Sequence, residues 1–158
     1  MDSTHPLTTV PERRILPRPQ RVLVVDDSAD VRELWTMWLQ IWGFAVEQAG
    51  NGLDAVKKAR TFQPHLVLMD LWMPVVDGLT ATETMKADPH MKHVPVLALS
   101  ADSFSPARER ALKAGADRFL PKPISPDALL EAIRESLSPV IGRGGPQVPP
   151  TAFPSGGH

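Results

Sequence analysis

The chain has 158 residues, a formal net charge of −1, 42% hydrophobic residues and no cysteine. That length and composition fit one domain with a sizeable core. The charge balance points away from nucleic acid and from an acidic tail, the lack of cysteine excludes disulfides and thiolate metal sites, and no apolar run is long enough to span a bilayer.

Proline and glycine mark the ends. Residues 1–20 hold Pro6, Pro11, Pro17 and Pro19 and lack the apolar stretch of a signal peptide. Residues 138–158 hold five prolines and five glycines. Neither end shows a hydrophobic period, so both are read as flexible tails around a folded domain of residues 21–137. A cytoplasmic protein is expected.

Inside those bounds strand and helix patterns alternate. Arg21–Val25 is a short β-branched run. Ala29–Trp42 carries a helical stripe of Val31, Leu34, Trp35, Trp38, Leu39 and Trp42, and Gly43 stops it. The tryptophans on that stripe are expected in the core, with Met37 and Ile41 off it as exposed apolar surface. Phe44–Val46 reads as a short strand. Leu53–Phe62 reads as a helix with Leu53, Val56, Ala59 and Phe62 inward, ended by Pro64. Leu66–Met69 is continuously apolar, as expected for a strand covered on both faces. Leu79–Ala87 is a helix ended by Asp88-Pro89, and Pro95–Leu99 is the fourth strand. Pro106–Ala114 is a helix closed by Gly115, and Arg118–Leu120 is the fifth strand. Asp127–Leu137 is the last helix, with Ser125 as its cap and Pro126 at its first position. His65, His90 and His93 fall in loops without partner spacing and receive no function.

This alternation predicts an α/β fold: a doubly wound, five-stranded parallel sheet with helices on both faces, in the flavodoxin-like order 2-1-3-4-5. Ligands in such sheets bind at the carboxyl ends of the strands where the order reverses, between strands 1 and 3. Asp26, Asp27, Asp70, Ser100 and Lys122 all sit at or beside strand ends on that edge.

Three clustered carboxylates need a cation to stay ionised. Hard oxygen ligands without histidine or cysteine suit Mg²⁺, with Mn²⁺ as an alternative, rather than zinc or copper. A carboxylate can attack phosphorus, and a metal and a lysine can neutralise the phosphoryl oxygens. The bland reading of each residue is ordinary: an acid or serine capping a helix, a solvated lysine. All five together at strand ends make the joint coincidence small.

The segments Val24-Val25-Asp26-Asp27, Met69 through Gly78, Leu99-Ser100-Ala101 and Ala114 through Pro123 resemble the receiver domain of two-component response regulators (CheY-like), in order and with the family's spacing, over about Arg21 to Leu137. The resemblance implies that Asp70 is the phosphoacceptor. Asp26 and Asp27 would hold Mg²⁺ together with Asp70 and the backbone carbonyl of Trp72. Lys122 would pair with the phosphate, and its bond to Pro123 is cis in the family. Ser100 matches the switch hydroxyl and Phe119 the switch aromatic, here without a phenolic group. Trp72 and Asp102 occupy positions that tune loss of the phosphoryl group, and the Trp72 indole is expected to shield Asp70 and slow hydrolysis. Val31, Leu34 and Pro123 fall where the family docks its partners.

The implied function is a stand-alone receiver that takes a phosphoryl group from a phosphohistidine of a sensor kinase or histidine phosphotransfer protein. It would signal to a downstream protein through the face of the fourth helix, fifth strand and fifth helix, as a monomer or a phosphorylation-dependent dimer, without direct nucleic-acid or membrane contact. The segment after Leu137 is too short for a DNA-binding output domain. An aspartate-based phosphatase would want a second acid where Trp72 stands, and a non-switching scaffold would not need the intact five-residue set.

Overall fold

The computed structural model describes residues 18–71, 77–102 and 105–137. Ten elements alternate: β1 (Arg21–Val25), α1 (Ala29–Ile41), β2 (Ala45–Ala49), α2 (Gly52–Phe62), β3 (Leu66–Asp70), α3 (Gly78–Ala87), β4 (Val96–Ser100), α4 (Ser105–Ala114), β5 (Arg118–Pro121) and α5 (Pro126–Leu137). The strands form one parallel sheet in the order β2-β1-β3-β4-β5, as the sequence predicts. The expected tails lie outside the described residues, apart from exposed Arg18–Gln20, where Gln20 O accepts from Ala45 N–H.

Period-two alternation sorts the strand side chains into two cores. Leu23, Val25, Val67 and Met69 face α2 and α3, where Ala55, Val56, Ala59, Ala81 and Met85 cover them. Val22, Val24, Leu66, Leu68, Leu97 and Leu99 face α1 and α5, against Trp35, Leu39, Leu129 and Ile133. Both sets are buried because β1, β3 and β4 are interior strands, which explains their unbroken apolar runs. A third cluster of Leu71, Ala98, Ala111 and Ala116 seats α4.

Capping fixes where the helices start. Ser28, Asn51 and Asp77 accept from the backbone N–H of Val31, Asp54 and Thr80, and Ser125 Oγ accepts from Ala128 N–H at 3.2 Å. Each satisfies a donor that helical pairing leaves open. Gly43 and Gly115 adopt φ of +93° and +107° after α1 and α4, the left-handed region that favours glycine.

Two details differ from the sequence reading. The second strand is Ala45–Ala49 rather than Phe44–Val46. As an edge strand it is only half covered, so Glu47 and Gln48 interrupt its apolar pattern while still pairing with Leu23 and Val24. Leu53 is half exposed and Ala55 is the inward residue. With Asn51 as cap, the inward face runs Gly52, Ala55, Val56, Ala59, and Leu53 falls beside that stripe. Trp35 is buried, Trp38 and Trp42 pack on the same core as expected, and Met37 and Ile41 are exposed.

Candidate functional site

Parallel register brings the polar residues together. Val25 pairs with Met69 across β1 and β3, so Asp26 and Asp70 follow as neighbours at the carboxyl edge. Asp70 pairs with Leu99 and Ser100 with Pro121, which carries Ser100 and Lys122 to the same edge. Lys122 N–H donates to Ser100 O at 2.7 Å, anchoring the loop after β5 to the end of β4. The Lys122–Pro123 peptide is cis, in agreement with the resemblance.

Asp26, Asp70 and Ser100 are buried, at 3%, 6% and 0% exposure, whereas Asp27 is open to solvent. Carboxylate oxygens of Asp26, Asp27 and Asp70 lie within 4.8 Å of one another. Lys122 Nζ donates to Asp26 Oδ2 at 3.0 Å and stands 3.9 Å from Asp70 Oδ2. Three carboxylates facing one ammonium leave two negative charges, and a hard divalent cation matches both that charge and the all-oxygen donor set. The residues present therefore fit a magnesium-type ion held by Asp26, Asp27 and Asp70. Trp72, whose carbonyl the resemblance adds to that set, lies outside the described residues.

Ser100 Oγ accepts from Asp102 N–H at 3.0 Å, so the serine hydroxyl and the loop carrying Asp102 are joined. Phe119 is half-buried against the Leu71–Ala98–Ala111–Ala116 cluster. Val31, Leu34 and Pro123 line one cleft of about 330 Å³ that reaches Lys122. Leu34 and Pro123 are exposed, and Val31 is half-buried.

Two residues shape the site although the sequence reading gave them no role. Arg32, one turn into α1, donates through Nη1 to the Asp26 carbonyl at 2.6 Å and through Nε to Gln48 Oε1 at 3.3 Å. It pins the backbone that presents Asp26. Gly78 packs on the backbone of Asp70: a Cβ there would stand 2.1 Å from the Asp70 carbonyl oxygen. The acid-to-glycine spacing of the Met69–Gly78 segment was visible, but not this contact.

With the geometry in place, known proteins give a consistent comparison. A family model described as the response regulator receiver domain matches residues 22–134. The polar-differentiation response regulator DivK of Brucella anthropi is 33% identical over 119 residues, 75% of this chain and 97% of its own length. DivK of Brucella ovis is 32% identical over 116 residues, 73% of this chain and 94% of its own. Among solved structures, the chemotaxis protein CheY4 of Vibrio cholerae has a TM-score of 0.72 at 29% identity, over 75% of this chain and 99% of that one. The receiver domain of a sensor histidine kinase from Pseudomonas aeruginosa has a TM-score of 0.71 at 29% identity, over 75% and 98% respectively; that structure has a magnesium ion coordinated in its active site cleft. Sheet order, the acid cluster beside a lysine and the family match converge, and the chain belongs to the response regulator receiver domain family.

Proposed function

We propose that this receiver accepts a phosphoryl group on Asp70 from a phosphohistidine, with Mg²⁺ held by Asp26, Asp27 and Asp70, and Mn²⁺ able to replace it. The observation that carries the reading is the gathering of three carboxylates within 4.8 Å of one another beside the Lys122 ammonium. An Asp70 carboxylate oxygen forms the new bond to phosphorus as the bond from phosphorus to the donor imidazole nitrogen breaks. Positioning and charge compensation dominate such a transfer. The bound ion would supply charge neutralisation at the phosphoryl oxygens. Lys122 would leave Asp26 and turn to the new phosphoryl group, which carries more charge than the carboxylate it replaces.

Ser100 and Phe119 would carry the event outward. The hydroxyl would exchange its Asp102 N–H donor for a role as donor to the phosphoryl group, and the aromatic ring would settle deeper against Ala98 and Ala111. The face of α4, β5 and α5 would then present a changed surface to a downstream protein. Val31, Leu34 and Pro123 form the docking cleft for a histidine kinase or histidine phosphotransfer protein, and Trp72 and Asp102 set how long the phosphorylated state lasts. We assign the chain to the cytoplasm; no helix among the described residues is long and apolar enough to cross a membrane.

Incubation with acetyl phosphate or a phosphorylated histidine kinase in Mg²⁺ should add the mass of one phosphoryl group. The Asp70→Asn variant and chelation of the metal should each abolish the addition. Failure of the parent chain to be labelled by several donors would overturn the reading in favour of a non-switching scaffold.

A further inference from the structure

Three imidazoles without a role in phosphoryl transfer line one cavity at the opposite pole of the sheet from Asp70. His65 stands just before β3, and His90 and His93 lie in the turn between α3 and β4. Together with the end of α2 and the start of β1 they border a cavity of about 490 Å³, within the size range of small-molecule sites. Its floor is apolar and buried, formed by Ala59, Pro64, Met91 and Val94. Its charged wall consists of Arg21, Arg60 and Asp88.

The polar groups are positioned rather than loose. Arg21 Nε donates to Gln63 O at 2.9 Å, which tethers the guanidinium beside the end of α2. Arg21 N–H donates to His65 Nδ1 at 2.9 Å. That nitrogen is therefore the acceptor, and the proton of the neutral ring sits on Nε2 as a donor. Asp88 Oδ1 is engaged by His90 N–H at 2.9 Å, and its Oδ2 stays 3.9 Å from Arg60 Nε, beyond hydrogen-bond range. Two guanidinium groups and one carboxylate line the cavity, so it is net positive even with neutral imidazoles.

A transition-metal site would need its ligand atoms to converge. Among the described residues, the group of three or more such side chains that does so is Asp26, Asp27 and Asp70 at the other pole. His65, His90 and His93 line the cavity without forming such a group.

We propose that this cavity binds a small organic phosphate of about mononucleotide size. Arg21 and Arg60 would hold the phosphate, since the guanidinium fork matches phosphate oxygens. The imidazole N–H groups would add donors, and the ligand's planar body would lie on the Pro64–Met91–Val94 floor.

The test is titration of the ¹⁵N-labelled full chain, without divalent cation, with AMP, inorganic phosphate and adenosine. AMP should shift the backbone amides of Arg60, Gln63, His65 and His90. Phosphate alone and adenosine alone should bind at least about tenfold more weakly, because each lacks half of the recognition. Arg60→Gln and His93→Gln, both at exposed positions, should fold; Arg60→Gln should weaken AMP binding by at least about tenfold and His93→Gln by a smaller factor. Asp70→Asn should leave it unchanged. Absence of shifts at these amides in millimolar AMP, or equal affinity for adenosine and AMP, would overturn the proposal. Zinc binding at these amides that His90→Gln abolishes, with no response to AMP, would replace it with a metal site.

Discussion

Gly78 and Asp70 touch backbone to backbone. A Cβ on Gly78 would stand 2.1 Å from the Asp70 carbonyl oxygen and 2.9 Å from the Asp70 carbonyl carbon and Leu71 Cα. These neighbours are main-chain atoms at the end of a fully buried strand, so none can swing aside. The start of α3 therefore uses the missing side chain to close over Asp70.

Gly78→Ala should consequently destabilise the fold and displace Asp70. Alanine gains up to about 1 kcal/mol of helix propensity over glycine, but overpacking against a fixed neighbour costs about 1–3 kcal/mol or more. We expect a net loss of roughly 2 kcal/mol in urea unfolding, together with slower labelling of Asp70 by acetyl phosphate. A variant as stable as the parent would contradict the close approach of Gly78 to Asp70.

Lys122 is expected to bear on metal affinity as well as on phosphate. Its ammonium lies 3.0 Å from Asp26 Oδ2 and 3.9 Å from Asp70 Oδ2, and it competes electrostatically with any cation held there. Lys122→Ala should tighten Mg²⁺ binding, by no more than about fivefold because the lysine is part-exposed and screened. The same variant should slow phosphoryl transfer, since its charge is then missing where negative charge develops. Mg²⁺ titration followed by amide shifts separates the two effects; weaker Mg²⁺ binding in the variant would contradict the electrostatic argument.

Leu34 tests whether the cleft beside Lys122 receives the donor protein. It is 47% exposed on α1 and shares the cleft with Val31 and Pro123, so its truncation removes little core packing. Leu34→Ala should lower the rate of transfer from a phosphorylated kinase or phosphotransfer protein by about tenfold, the effect of losing an interface anchor. Labelling by acetyl phosphate, which needs no docking surface, should be unchanged. Equal losses with both donors would place Leu34 in folding rather than docking.

What the sequence disclosed follows from how local each cause is. The runs Val22–Val25 and Leu66–Met69 announced interior strands because burial on both faces leaves no room for polar interruptions. The apolar pattern of the edge strand stops at Val46 because Glu47 and Gln48 lie in less covered surroundings. Leu53 reads as inward on its apolar character alone, whereas the Asn51 cap sets the helix phase and leaves it half exposed. Asp26, Asp70, Ser100 and Lys122 were legible since strand ends in a parallel sheet share one edge. The Gly78–Asp70 contact was not, because it joins residues of two elements that meet only once α3 packs on the end of β3. Nor was the shared cavity of His65, His90 and His93, which comes from packing the end of α2 beside the turn after α3.

His65 also gives the fold a pH response at the pole far from Asp70. Burial, and then the nearby positive charge of Arg21, lower its pKa below 6.5, and its Nδ1 accepts from Arg21 N–H, which a protonated nitrogen cannot do. Because the folded pKa lies below the unfolded one, the unfolded chain takes up this proton first. The contribution to stability is complete above the unfolded value near 6.5 and is lost as the pH falls through the folded value. His65→Gln removes this titration, so its thermal midpoint should fall less than the parent's between about pH 7 and pH 5. The difference should be small because the ring is largely exposed. Parallel pH profiles of parent and variant would contradict the assignment, and a steeper fall in the variant would reverse its sign.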